Sequence, residues 1–289
     1  MSVVVELNIF SGKRNPRWRM SREQIYNLRS KLDNLKNKID YSIPSHFFTI
    51  GYKGFIIRSK NEKDLPPFIL IGAGLVSFYL KKVSFEDGYH IVEKWLLSVT
   101  RKKRRISEEL YRKILAIIDI PQRSDYNYFL SIENDNTILP QYAPPFWNND
   151  YNILTNNNCY NYACDKPRPR FAQPGRGGGM RISRFDAISI RQALNVDKLE
   201  WSSELKKLSS NIHYVAAFIG HVSKEEVDFH FFRRDENGLW SHKPGRNPVI
   251  NTDIDRRIIE DPTSKYCNKG DYIQFCGYFE CDTSLINIQ

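Results

Sequence analysis

No stretch of this 289-residue chain approaches the ~20 consecutive apolar residues that a bilayer-crossing helix needs, so the sequence offers no candidate span. Its opening, MSVVVELNIFSGK, lacks a charged region ahead of the short apolar run and carries Glu6 within it. That pattern speaks against a secretory leader and for a first β-strand, and the expectation is a cytosolic or otherwise signal-independent route. Cysteine is scarce: five residues at irregular spacing do not make a disulfide framework, so reduced thiols are expected. Metal-ligand spacing is missing as well. Cys267, Cys276 and Cys281 include no close pair, and strand alternation places Cys276 and Cys281 on opposite faces, so neither a metal nor a cofactor is expected. The glycine-rich FAQPGRGGGMR is followed by no Gly-Lys-Ser/Thr and preceded by no strand, which sets aside both the P-loop and the dinucleotide-binding fingerprint.

What the chain does have is enough apolar surface to fold, with 41% hydrophobic and 13% aromatic residues. Its net charge of +10 is unevenly placed: residues 1–120 hold 23 Lys+Arg against 12 Asp+Glu, and the remainder 20 against 21. This asymmetry, with a change of texture near Pro121, divides the chain into a basic module at 1–120, a connector at 121–155 and a second module at 156–289.

The first module reads as α+β. SVVVELNIF is strand-like, and Ile25, Leu28, Leu32, Leu35 and Ile39 recur at helical spacing behind Ser21, a good N-cap. Between them FSGKRNPRWRM reads as a loop, because Gly12 and Asn15-Pro16 are turn formers. HFFTIGYKGFIIRS and PFILIGAGLVSFYLKKV supply two or three strands, and helices follow around YHIVEKWLLSVT and SEELYRKILAIIDI. RKKRR at 101–105, which separates those helices, suits an acidic protein, a nucleic acid or an anionic membrane surface, with Trp18 available to stack on bases. A solvated interhelical loop is the plainer alternative. The segment 121–155, rich in Pro, Asn and aromatics, lacks a regular period and reads as a connector packed on the second module.

The second module opens on NNNCYNYACD. Asn157 or Asn158 is a strong N-cap type, and Pro167 and Pro169 stop the following helix early, so Cys159 falls in a first helical turn. There the unpaired N–H groups and the positive end of the dipole favour the nucleophilic thiolate and offer donors to an oxyanion. Cys164 sits at the far end without that benefit. HYVAAFIG reads as a central strand, and VDFHFFRRDENGLWSHKPG as a hairpin turning at Glu236-Asn237-Gly238. A three-residue loop pairs Phe232 with His242 and places His230 and His242 on one face; a two-residue loop separates them. The glycines of FAQPGRGGG, ahead of a helix at FDAISIRQAL, read as a mobile loop beside Cys159, or as a plain connector. FCGYF belongs to a terminal core strand.

A cysteine opening a helix, then an antiparallel sheet bearing a histidine and a further polar group, resembles the papain-like thiol hydrolases, particularly the CHAP type (cysteine, histidine-dependent amidohydrolase/peptidase). The customary Gly-Gln before the cysteine and the tryptophan after it are absent here. FSGKRNPRW, NNCYNYACD, FAQPGRGGG, DFHFFRRDENGLWSHKPG and FCGYF also resemble strings of an uncharacterised two-module family. The thiol-hydrolase resemblance implies a papain-like second module with Cys159 as nucleophile and His230 as base. It implies His242 as orienter, ahead of Asn251 or Asp253, and Asn158 as an oxyanion donor. His213 is an alternative base, with His221 behind it, and Gln173 and Arg176 are candidates to touch substrate. The expected chemistry is cleavage of a peptide or amide bond through a thioester, as a peptidase, amidase or deamidase. The competing expectation is a non-catalytic binding protein whose basic module engages an acidic partner.

Overall fold

A computed structural model describes residues 2–42, 50–60, 62, 64–119, 140–206, 208 and 211–289. It shows a mixed α+β architecture with two antiparallel sheets and several helices. The chain divides into two compact units, one of Met1–Ile9 with Arg14–Gln122, the other of Phe10–Lys13 with Arg123–Gln289. Four residues near the amino terminus therefore belong to the second unit. Among the described residues no helix is long and apolar enough to cross a membrane.

Unit 1 is built on a seven-stranded sheet of order β2-β1-β4-β5-β6-β7-β3. Its strands are β1 (Ser2–Leu7), β2 (Arg17–Arg19), β3 (Lys38–Ile39), β4 (Phe55–Lys60), β5 (Phe68–Gly72), β6 (Leu75–Phe78) and β7 (Val83–Glu86). Helix α1 (Arg22–Asp33) starts at Ser21, whose hydroxyl accepts from Gln24 N–H while the Gln24 side chain returns to the Ser21 N–H. It ends six residues before Ile39, because Asn34 caps it and Lys38–Ile39 pair with β7 instead. α2 (Ile91–Lys102) and α3 (Glu108–Ile118) follow the sheet, so Arg101 and Lys102 close a helix rather than lie in the linking loop. Arg101 pairs with Glu108 at 2.7 Å. Two readings of the basic segment change. Arg17–Arg19 is a short edge strand rather than loop, and its alternation turns Trp18 inward with only 4% exposed, which removes it as a platform for bases.

Unit 2 holds a five-stranded sheet of order β11-β10-β9-β12-β8: β8 (Glu200–Ser202), β9 (Ile212–His221), β10 (Val227–Arg234), β11 (Trp240–His242) and β12 (Gln274–Asp282). The central position of β9 explains why HYVAAFIG is apolar on both alternating faces. Ahead of the sheet come α4 (Pro144–Asn148), α5 (Tyr151–Asn156), α6 (Cys159–Ala163) and α7 (Ala187–Val196). The first two lie within the stretch that reads as connector; they are short, started by Pro144-Pro145 and by the Asp150 side chain, and Trp147 packs with Tyr162 and Val249. Positions 121–139 of that stretch lie outside the described residues. One core joins α6 and α7 to Val215, Ala217, Ile219, Phe229, Phe231 and Phe279. Cys276 and Cys281 both belong to it, contrary to strict alternation, because a bulge between Phe275 and Gly277 shifts the register of β12.

The fully buried Arg233 guanidinium ties β10 to its surroundings. It donates to Asp235 (2.9 Å), Asp165 (2.8 Å), the Gln141 carbonyl (2.8 Å) and the Tyr162 hydroxyl (2.8 Å). Arg233→Met would strand the 1%-exposed Asp235 carboxylate without its cation. The expected cost is about 3–5 kcal/mol in urea unfolding, the range for breaking one side of a buried ion pair; a loss under about 1 kcal/mol, typical of surface pairs, would show that the network is dispensable.

Candidate functional site

The three asparagines before Cys159 each have a separate task. Asn156 ends α5; Asn157 caps it, donating from Nδ2 to the Ile153 carbonyl and accepting Arg168 N–H. Asn158 caps α6, its Oδ1 accepting from the Tyr160 and Asn161 N–H groups, both at 3.1 Å. Cys159 is thus the first residue of the helix. Those two N–H groups are spent on the cap, however, and a helix of five residues carries little dipole. The polarity around the thiol comes from elsewhere.

One source is Lys243, which follows His242 directly and is fully buried. Its Nζ donates to the carbonyls of Leu154 (2.6 Å), Asn157 (2.9 Å), Gly245 (2.6 Å) and Asn247 (3.0 Å). Four acceptors call for an ammonium. Burial pulls Lys243 well below the ordinary lysine value, the neighbouring Arg246 adds to that, and the charge of Cys159 works the other way. The Cys159 Sγ lies 3.9 Å from the Phe229 carbonyl, against β10 one residue before His230. Pairing with β11 covers β10 only from Phe232 to Arg234, so the thiol sits beside the stretch that β11 leaves open.

The β10–β11 hairpin has the odd register, with Phe232 opposite His242 and a loop of Glu236, Asn237 and Gly238 closed by Asp235 N–H to the Leu239 carbonyl. His230 and His242 consequently share a face, with Nε2 of His230 2.8 Å from Nδ1 of His242. His242 Nε2 lies 3.0 Å from the Thr252 carbonyl. A carbonyl only accepts, so that nitrogen carries the proton, and for neutral rings His242 Nδ1 accepts from His230 Nε2–H. The basic lone pair of His230 is then on Nδ1. Phe232, 4.8 Å by centroid from each imidazole, and Tyr272, 5.4 Å from His230, hold the rings. Burial pushes the Tyr272 hydroxyl well above the usual tyrosine range, and Asp228 reinforces this.

The remaining candidates fall in different places. Asn158 Nδ2 and Gln173 Nε2 converge on one atom, the Gly12 carbonyl oxygen, at 2.8 and 3.1 Å. Arg176 is exposed at the tip of the glycine turn. That turn is pinned at its base: Asp197 accepts from Gly175 N–H (2.7 Å), Gly178 N–H (3.0 Å) and the Tyr160 hydroxyl (2.8 Å), and Asn287 donates to the Gly177 carbonyl. The Asp253 carboxylate takes the N–H groups of Arg257 and Asn268, each at 2.9 Å, and organises its own loop. His221 is exposed at the end of β9. Lys243, Tyr272 and Asp228 escape a reading by residue type alone. The signal for Lys243 is its place one step after His242, where a strand must turn its side chain to the other face.

His213 belongs to a second thiol cluster. It stands opposite Cys281 across β9 and β12, and its Nε2 lies 2.7 Å from the Ala163 carbonyl, next to Cys164. Burial opposes a thiolate at Cys281, but hydrogen bonding from Cys164 and the charge of His213 bring it down to about 6. Burial likewise opposes the His213 imidazolium, and Cys281 outweighs it, raising His213 above 6.5. All three side chains are buried. Among the described residues no group of His, Cys, Asp or Glu has the arrangement of a metal site.

No family model matches the chain, and no solved structure matches it. The fold by itself therefore defines no more than an α+β protein of two units. In sequence the chain is 35% identical over 138 residues to Insoluble matrix shell protein 1 of Ruditapes philippinarum, an alignment covering 48% of this chain and 87% of that protein. The chain belongs to the family of that shell protein.

The Cys281–His213 pair predicts a definite pH response. A thiol lowered from 9 to about 6 adds stability that is complete above its unfolded value and is lost as pH falls through about 6. The raised His213 acts oppositely, adding stability below 6.5 that is lost as pH rises through its raised value. The thiolate absorbance of the folded protein should titrate with an apparent midpoint near 6 and lose that step in Cys281→Ser; an unchanged step in that variant would place the thiolate elsewhere.

Proposed function

We propose that unit 2 is a papain-like cysteine hydrolase cleaving an amide or peptide bond through a thioester. The observation that carries this reading is the hydrogen-bond chain His230–His242–Thr252, with contacts of 2.8 and 3.0 Å, beside a helix-opening cysteine seated against the same strand. In this reading His230 Nδ1 takes the Cys159 proton and Sγ attacks the carbonyl carbon. The oxyanion accepts from Asn158 Nδ2 and Gln173 Nε2, the amide donors that converge on one carbonyl oxygen. The C–N bond breaks as His230 returns the proton to the leaving amine, and water, deprotonated by His230, hydrolyses the thioester. His242 holds the imidazole in the required tautomer, and the nearby ammonium of Lys243 favours the thiolate. Arg176, exposed at the loop tip, is the candidate for contact with more distant parts of a substrate.

A second reading rests on the shell relative, whose name describes an insoluble matrix protein. Here the chain would be a non-catalytic constituent bound to an acidic polymer or protein through residues 1–120, where Lys102, Arg104 and Arg105 are exposed. Such binding would weaken steeply with salt.

Iodoacetamide labelling of the folded protein, read cysteine by cysteine against pH, separates the two. The hydrolase reading expects Cys159 to be the thiol whose labelling depends on His230, slowing about 10-fold or more in His230→Ala and less in His242→Ala. Labelling of Cys159 indifferent to His230 would leave the matrix reading.

A further inference from the structure

The four residues Phe10–Lys13 pack within unit 2, and their backbone is bound as a peptide ligand would be. The Asp228 carboxylate accepts three consecutive amides, Ser11 (2.6 Å), Gly12 (3.1 Å) and Lys13 (2.8 Å), while Tyr272 donates to the same carboxylate at 2.7 Å. The Gly12 carbonyl faces the other way, onto Asn158 Nδ2 and Gln173 Nε2. Asn158 precedes the cysteine and Asp228 lies two positions before His230, so both sides of the strap are held by neighbours of the candidate nucleophile and base. Side-chain space is closed at Gly12: a β-carbon there would stand 2.3 Å from the Phe229 ring. Phe10 and Ser11 are buried with it, and Cys159 itself has no exposed surface.

We infer that the Phe10–Lys13 strap is an internal peptide ligand of the Cys159 site, and that the site takes peptides with glycine at the position Gly12 holds. The inference rests on the hydrolase reading for its chemistry but on the strap geometry for its selectivity. Asn158 and Gln173 read the carbonyl of that residue, Asp228 reads the flanking amides, and the Phe229 ring rejects any side chain. The strap occupies the place of a substrate, so a competing peptide must displace it.

The test uses the full chain and two variants. Gly12→Val expels the strap by collision with Phe229, and Asp228→Asn loosens its amides while keeping the shape. Hydrogen exchange at Ser11–Lys13 reports release of the strap, iodoacetamide reports Cys159, and calorimetry reports binding of acetyl-Phe-Ser-Gly-Lys-amide and of its Val counterpart. With the strap released, Cys159 labelling should rise about tenfold or more over wild type. In Gly12→Val the glycine peptide should bind and suppress that rise while the valine peptide does neither. Released strap amides with unchanged Cys159 labelling and no peptide binding would overturn the inference, as would equal binding of both peptides. If the glycine peptide binds selectively yet Cys159 stays inert in every variant, the ligand site stands and the hydrolase reading falls.

Discussion

The candidate site depends on the register of one hairpin. Because Phe232 stands opposite His242, the side chains of His230 and His242 emerge on the same face of the sheet, close enough for a 2.8 Å hydrogen bond. A slip by one residue would send His242 to the opposite face and bring Lys243 to the imidazole side instead. The register is secured at the turn by the Asp235–Leu239 backbone bond, and within the strand by Arg233, whose side chain leaves on the face opposite the two imidazoles. Thr252 completes the arrangement from beyond β11, since its carbonyl fixes which imidazole nitrogen bears the proton.

The opposite face of β10 serves the packing. Phe229 and Phe231 anchor the core with Tyr160, so one strand alternates between packing against the helix and presenting the two imidazoles. The ammonium of Lys243 joins the two systems, gathering carbonyls from the end of α5 and from its own loop into a rigid support just ahead of Cys159. Burial of such a cation is costly unless its protons are all bonded, and here they are saturated by backbone oxygens. In the second cluster of Cys164, His213 and Cys281, burial opposes the thiolate at Cys281, while hydrogen bonding from Cys164 and the charge of His213 favour it.

Much of this was legible in residues. Ser21, the alternation of HYVAAFIG and the hairpin residues Glu236-Asn237-Gly238 mark elements through local chemistry that tertiary contacts leave intact. What escaped reading depended on distant partners. Ile39 continued a helical period but was claimed by β7; Trp18 sat in an apparent loop but was turned inward by pairing with β1; a bulge reversed the parity of Cys276. In the site, Asn158 and Gln173 were identifiable as amide donors, whereas their convergence on Gly12, some 146 positions from Asn158, was beyond any local pattern. The role of Asp228 is likewise set by distant partners, since it accepts three amides from residues 11–13, up to 217 positions away.

In the proposed hydrolase reading Cys159 is a nucleophile activated by His230. Incubating the full chain and its Gly12→Val variant with the p-nitrophenyl ester of N-acetylglycine, followed by quenching and peptide mass spectrometry, tests it directly. In that reading an acyl group should form on Cys159 in both proteins, faster in the variant, and be lost when His230 is replaced by alanine. An acyl group absent from Cys159, or present there to the same extent without His230, would contradict it.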